Sequence, residues 1–253
     1  MEEKNSVLIT GATGLIGEIL LEKFLDMQYQ VIFTSRNKNK ITALYEKYSL
    51  FRKKLFGCQV DLLEKNSMKT VEDFLADNDL KPRYLINNAR SLEFLQADDF
   101  RKISRENWIG EYTLDVVIPY ELTLLLSEMK KSCLESVVNV SSMYGILAYN
   151  DYLCNGSSAI NIQYGTAKAA LIQLTRELAV RLANKNIRVN CISYGGVEGR
   201  ADDSFKERYA KICPSRKMLS KDEITGHVVY LCSESSRGMT GANIVVDGGF
   251  SLW

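Results

Sequence analysis

Residues 6–10 form a short apolar run that passes through Thr10-Gly11-Ala12-Thr13-Gly14-Leu15-Ile16-Gly17 straight into an amphipathic pattern at 15–27. Few folds accommodate that succession. A strand, a glycine-rich turn and a helix in immediate sequence open a βαβ unit that holds a dinucleotide. The glycines let the backbone turn tightly, approach a pyrophosphate and pack helix against strand, while the helix N-terminus offers free amides and positive dipole. Gly11, Thr13, Gly14, Leu15, Ile16 and Gly17 are therefore candidate cofactor contacts, with an ordinary left-handed turn as the alternative.

The rest of the chain continues the alternation. Short β-branched runs recur at 30–34, 56–60, 84–87, 136–140, 187–192 and 244–246, and helical periodicity is clearest at 106–131, 162–184 and 221–233. Strands spaced by helices predict an α/β fold, a single Rossmann-type doubly wound parallel sheet of seven strands with helices on both faces, in one domain over 1–253. Pro119 falls inside the second helical pattern and predicts a kink or a helix start there. The net charge of +1 lacks the basic excess that nucleic-acid or membrane-surface binding needs, so the expected partner is a small molecule. No run reaches the length of a membrane span, and residues 1–6 are too charged for a signal peptide, so a cytoplasmic protein is expected. The six cysteines form no CxxC pair, and the one histidine, His227, leaves no basis for a His triad or a His-rich metal site.

Further candidates lie at strand ends. The second strand runs into Ser35-Arg36, where an NAD site would present a carboxylate. Arg36 suits a 2′-phosphate, which favours NADP with NAD as the alternative, although a solvated loop arginine would read the same. Asp61-Leu62 follows the third strand, and Asp61 is either an adenine contact or a helix cap. Tyr164 and Lys168 stand four residues apart in the first turns of a helical segment, so both project from one face. A neighbouring ammonium favours the ionised phenol, which suits Tyr164 to acid/base work; the alternative is a core tyrosine beside a surface lysine. The strand at 136–140 ends at Ser141-Ser142, on the edge where open α/β sheets bind ligands.

Taken in order, the Gly-rich turn, Asn87-Asn88-Ala89, Ser142 in Ser-x-x-Gly, Tyr164-x-x-x-Lys168, Arg188-Val189-Asn190 and Val246-Asp247-Gly248-Gly249 resemble the short-chain dehydrogenase/reductase family from end to end. The resemblance implies that Ser142 orients a substrate oxygen, Tyr164 transfers a proton and Lys168 holds ribose hydroxyls. It selects Ser142 over Ser141 and adds Asn88, Ala89, Gly195 and Val197 to the expected cofactor contacts. It also implies a homotetramer or homodimer built through the long helices. Four departures stand out. The glycine spacing TGxxGxxG is more familiar from the extended branch of the family, and Arg90 occupies the usual glycine position after Asn-Asn-Ala. The family's active-site asparagine falls at Asp115, which makes Asp115 a candidate catalytic residue, and Tyr194 replaces a common proline.

The segment 146–160 is longer than is usual in the family and carries Tyr149, Tyr152, Asn155 and Ser157, side chains suited to a polyhydroxylated ligand. A second variable segment, 197–218, is basic, with Arg200 and Arg216, and is the expected lid. Tyr149, Tyr152, Arg216 and Ser142 are thus candidate substrate contacts. The Ser-Met-Tyr-Gly motif, the long insertion and the C-terminal Asp-Gly-Gly-Phe-Ser-Leu-Trp resemble oxidoreductases of flagellin-modification and nonulosonic-acid pathways, which implies a sugar-related substrate. The expected activity is NADP(H)-dependent hydride transfer to or from a carbonyl or secondary alcohol. Two alternatives remain: a nucleotide-sugar isomerase or dehydratase that retains its cofactor, and a non-catalytic NADP-binding regulator.

Overall fold

A computed structural model of the chain describes residues 5–98, 102–154, 161–199 and 201–253, without the side chains of Asp151 and Cys154. Strands and helices alternate: β1 Ser6–Ile9, α1 Leu15–Asp26, β2 Gln30–Ser35, α2 Lys38–Lys47, β3 Leu55–Gln59, α3 Ser67–Asp77, β4 Tyr84–Asn87, α4 Arg105–Tyr112, α5 Ile118–Glu128, β5 Ser136–Ser142, α6 Asp151–Cys154, α7 Ile162–Arg181, β6 Arg188–Tyr194, α8 Asp203–Ile212, α9 Asp222–Leu231 and β7 Asn243–Val246. The seven strands form one sheet in the order β3-β2-β1-β4-β5-β6-β7, and every pairing is parallel. The order reverses between β1 and β4, and it is beyond the strand ends at such a reversal that doubly wound sheets bind their ligands.

Alternation along the strands feeds two cores. Val7 and Ile9 of β1 pack on one face with Leu20 and Phe24 of α1 and Val228 of α9. Leu8 faces the other way, toward the layer that includes Val71 of α3, Leu122 of α5 and Leu178 of α7. A polar thread crosses this second face. Asn87 Nδ2 donates to Asn139 Oδ1 at 2.8 Å, Asn139 Nδ2 donates to Thr175 Oγ1 at 2.9 Å, and Thr175 Oγ1 donates to the Leu171 carbonyl at 2.9 Å. Buried polar groups of this kind are costly unless paired, so the thread fixes the register of α7 on β4 and β5.

The helical pattern at 106–131 is interrupted. Residues Thr113–Val117 form a π-helical turn between α4 and α5, and the Ile118 amide donates to the Thr113 carbonyl five residues back. Proline explains it: Pro119 has no amide, and its ring would crowd the carbonyl four residues earlier, that of Asp115, so the turn widens and α5 begins afresh.

At the glycine turn Gly11 takes a φ of +67°, and a Cβ there would lie 2.7 Å from Ala89 Cα. A Cβ on Gly17 would run into the Gly11 carbonyl oxygen and come within 2.7 Å of Ala12 Cα. Gly17→Ala is accordingly expected to cost about 1–3 kcal/mol of stability and to weaken dinucleotide binding, as read by urea unfolding and by ligand titration.

Candidate active site

The end of β1 is tied to the end of β4. The amides of Asn88 and Ala89 both donate to Thr10 Oγ1 at 2.9 Å, and Asn88 Nδ2 donates to the Thr10 carbonyl at 3.0 Å. Gly14 caps α1 with no side-chain hydrogen bond to the helix, so the first-turn amides beside Thr13, Leu15 and Ile16 remain available to an anion. Gly17 is buried under this turn. The uncapped helix end and the two positions that a Cβ would fill fit a dinucleotide pyrophosphate.

Other expected cofactor contacts ring the same edge. Ser35 is buried and its Oγ accepts from the Asn37 amide at 3.2 Å. Arg36 is exposed and reaches Glu93 Oε2 at 3.2 Å, an exposed pair of the sort that contributes at most about 1 kcal/mol. A phosphate can displace it. Asp61 Oδ1 accepts from the Leu63 amide at 3.1 Å and Leu62 is buried, so the aspartate forms a turn with one oxygen and leaves the other free of that bond. Gly195 bonds the Val246 carbonyl through its amide at 2.9 Å, and Val197 pairs with Leu219 in an isolated bridge. The chain beyond, at Gly199, lies over Leu15, so the end of β6 closes toward the start of α1.

Strand alternation separates the two serines at the end of β5. Ser141 Oγ donates to the Lys168 carbonyl at 3.1 Å and is occupied in holding α7. Ser142 Oγ accepts from the Tyr144 amide at 3.2 Å, which leaves its own O–H to donate. Tyr164 and Lys168 lie on one face of α7, with Lys168 Nζ 5.6 Å from the Tyr164 ring centroid.

Lys168 is buried and donates to Asp115 Oδ1 and to the Val140 carbonyl, each at 3.0 Å. Burial would discharge the ammonium, but the Asp115 charge, Tyr164 and the hydrogen bond to Asp115 outweigh it and raise Lys168 above the ordinary lysine range. Burial pushes the Asp115 carboxyl up, and Lys168 pulls it back. The 3.0 Å contact joins the two as a buried ion pair. Asp115 Oδ2 and Asn87 Oδ1 are buried without hydrogen-bond partners, and both residues, with Thr10 and Lys168, line a cavity of about 10 Å³. That is the size of about one water.

Glu111 did not emerge from the motifs. It lies four residues before Asp115, is 1% exposed, and neither carboxylate oxygen has a hydrogen-bond partner. Burial, reinforced by Asp115 and opposed by Lys168 and Arg90, pushes it up to about 7, so it carries its proton below neutrality. The four-residue spacing was the only signal in the sequence that pointed to it.

On the substrate side, Tyr149 stacks on Tyr144 with centroids 3.8 Å apart, and both lie against Gly165 beside Tyr164. Tyr152 is exposed, with its amide on Asn150 Oδ1 at 2.9 Å. Insertion and lid meet: Leu153 shares a small core with Met143, Tyr209 and Met218, and Arg208 Nε donates to the Leu153 carbonyl at 3.1 Å. Arg216 is drawn to the end of α8, where it donates to the Lys211 carbonyl at 3.2 Å, and no described contact joins it to Ser142 or Tyr164. Asn155, Ser157 and Arg200 lie outside the described residues. Among the described residues no group of His, Cys, Asp and Glu could hold a metal ion.

Comparison with known proteins agrees with this architecture. A family model described as Enoyl-(Acyl carrier protein) reductase matches residues 11–251. The chain belongs to that family of short-chain dehydrogenases and reductases, oxidoreductases that act on alcohols and ketones. Post-translational flagellin modification protein A of Campylobacter coli is 28% identical over 100% of both chains. A short chain dehydrogenase of Leptospira borgpetersenii with bound NAD+ superposes with a TM-score of 0.82 at 25% identity, covering 98% of this chain and 93% of that one. A gluconate 5-dehydrogenase of Burkholderia cenocepacia in complex with NADP and tartrate shares the fold, with a TM-score of 0.84 at 18% identity over 98% and 96% of the two chains.

Asp115→Asn is expected to keep activity and shift its pH profile. Removing the carboxylate removes the largest influence that raises Lys168 and leaves burial, which lowers it, opposed only by Tyr164. The ammonium is then lost at lower pH, so the alkaline limb of kcat/KM should move down; pH–rate profiles of the two forms check this.

Proposed function

We propose that the protein is an NADP(H)-dependent oxidoreductase that interconverts a carbonyl and a secondary alcohol on a sugar-related small molecule. The observation that carries the reading is the set of Ser142, Tyr164 and Lys168 at the sheet edge, with Lys168 anchored by Asp115 at 3.0 Å. The bound dinucleotide supplies or accepts the hydride. In the reducing direction the Ser142 O–H donates to the substrate oxygen and holds it for protonation. Tyr164 O–H transfers its proton to that oxygen as the alkoxide forms, and the Lys168 ammonium offsets the charge left on the phenolate. Asp115 and the Val140 carbonyl fix the ammonium in place. The Lys168 hydrogen bonds leave one N–H for the cofactor's ribose hydroxyls.

Arg36 at the end of β2 supports NADP, because the residues that directly follow the strand, Arg36-Asn37-Lys38, include no carboxylate to accept from a ribose; the flagellin-modification relative and the Tyr144–Tyr149 stack support a sugar-related substrate. Exposed Ile109, Val117, Ile162 and Val180 on α4, the π turn and α7 support assembly into a homodimer or homotetramer through these helices. Among the described residues no helix is long and apolar enough to cross a membrane, in keeping with a cytoplasmic enzyme.

Tyr164→Phe is expected to reduce NADPH-dependent turnover of a panel of ketoses and keto-sugar derivatives by about a hundredfold or more while leaving NADPH affinity nearly unchanged. Substantial residual turnover would overturn the catalytic assignment. Arg36→Ala should weaken NADPH by about tenfold or more and NADH little; equal losses for both cofactors in fluorescence titrations would contradict NADP preference.

A further inference from the structure

Arg90 occupies the position directly after Asn88-Ala89, and its guanidinium carbon sits 4.5 Å from the centroid of the Tyr164 ring. The residue is exposed. No carboxylate or other hydrogen-bond acceptor among the described residues pairs with it. The nearby acids are engaged or neutral: Asp115 belongs to Lys168, and Glu111 holds its proton below about pH 7. A guanidinium held over an aromatic face is restrained by the cation–π attraction and keeps N–H donors that can bind a carboxylate or phosphate bidentately.

We infer that Arg90 is a substrate-recognition residue that seats an anionic group of the substrate, a carboxylate or a phosphate ester, beside the carbonyl that Ser142 and Tyr164 address. This rests on the catalytic reading of Ser142 and Tyr164 and narrows its substrate to anionic hydroxy or keto compounds. The contact makes the seat preorganised: the guanidinium is already held over Tyr164, so less rotamer freedom is lost when the anion arrives. It also couples recognition to chemistry, because an anion held on Arg90 brings its own carbon chain across the tyrosine. A neutral polyol would make no use of the open edge.

The test measures binding to the NADPH-loaded protein by equilibrium dialysis, with two series that differ only in their anionic group: glycerol, glycerate and glycerol 3-phosphate, and sorbitol, gluconate and sorbitol 6-phosphate. In at least one series the wild type is expected to bind an anionic member about tenfold or more tighter than the neutral parent, the gain of a charge-assisted pair. Carboxylate or phosphate preference identifies the source of the anion. Arg90→Gln should erase that preference and leave NADPH affinity unchanged, and Arg90→Lys should restore part of it. Absence of any preference in the wild type, or its survival in Arg90→Gln, overturns the proposal. So does a fall in NADPH affinity of the same size in Arg90→Gln, since the guanidinium would then serve the cofactor. None of these outcomes touches the Tyr164→Phe result, so failure of the anion seat and failure of the oxidoreductase reading are told apart.

Discussion

The ion pair between Asp115 and Lys168 is the contact on which the arrangement of the site depends. Both side chains are buried, burial opposes the charge on each, and each favours the charged form of the other. A buried pair adds little net stability, because desolvation consumes most of the Coulombic gain, yet breaking it is costly. What it supplies here is position. It fastens α7, which carries Tyr164, to the π turn between α4 and α5, at the point where β5 delivers Ser142. The polar thread through Asn87, Asn139 and Thr175 does the same for the other end of the contact between sheet and helix.

Much of this was legible in the sequence because it is local. The strand, glycine turn and helix at the N-terminus are contiguous, and Tyr164 and Lys168 share a helix face by spacing alone. The preference for Ser142 over Ser141 rests on a family pattern; in the structure neighbouring residues of the strand point to opposite sides, and Ser141 is turned to the α7 backbone. Asp115 was placed by counting along a helix that contains a π turn, yet the position still reached the site.

What stayed hidden depends on long-range packing. Glu111 looks like an ordinary surface residue of a helix until α4 settles against α7. Arg90 stands out only as an unusual residue after Asn-Asn-Ala, and nothing in the linear order shows that a side chain from the segment after β4 lies over a ring 74 positions later. Arg216 illustrates the reverse, since composition placed it in a basic lid, whereas its guanidinium caps the end of α8. The same holds for Arg36, whose partner Glu93 comes from the segment after β4.

The π turn carries a consequence for how this site can change. One residue of an α-helix corresponds to about 100° of rotation about the axis. The widened turn at Thr113–Val117 takes up the equivalent of one additional residue within a single turn, so α4 and α5 keep their faces although their residues are one step out of regular count. Loss of a single codon inside this stretch would let the two helices fuse into one regular rod with both faces kept, whereas loss of one inside α5 would turn the residues beyond it by about 100°. Only the bulged residues, Asp115 among them, would be re-aimed by the first change, while Glu111, the sheet and the nucleotide turn stayed in place. Length variation at this one place thus offers a route by which the inner lining of the pocket is altered while the outer face of the helix layer is preserved.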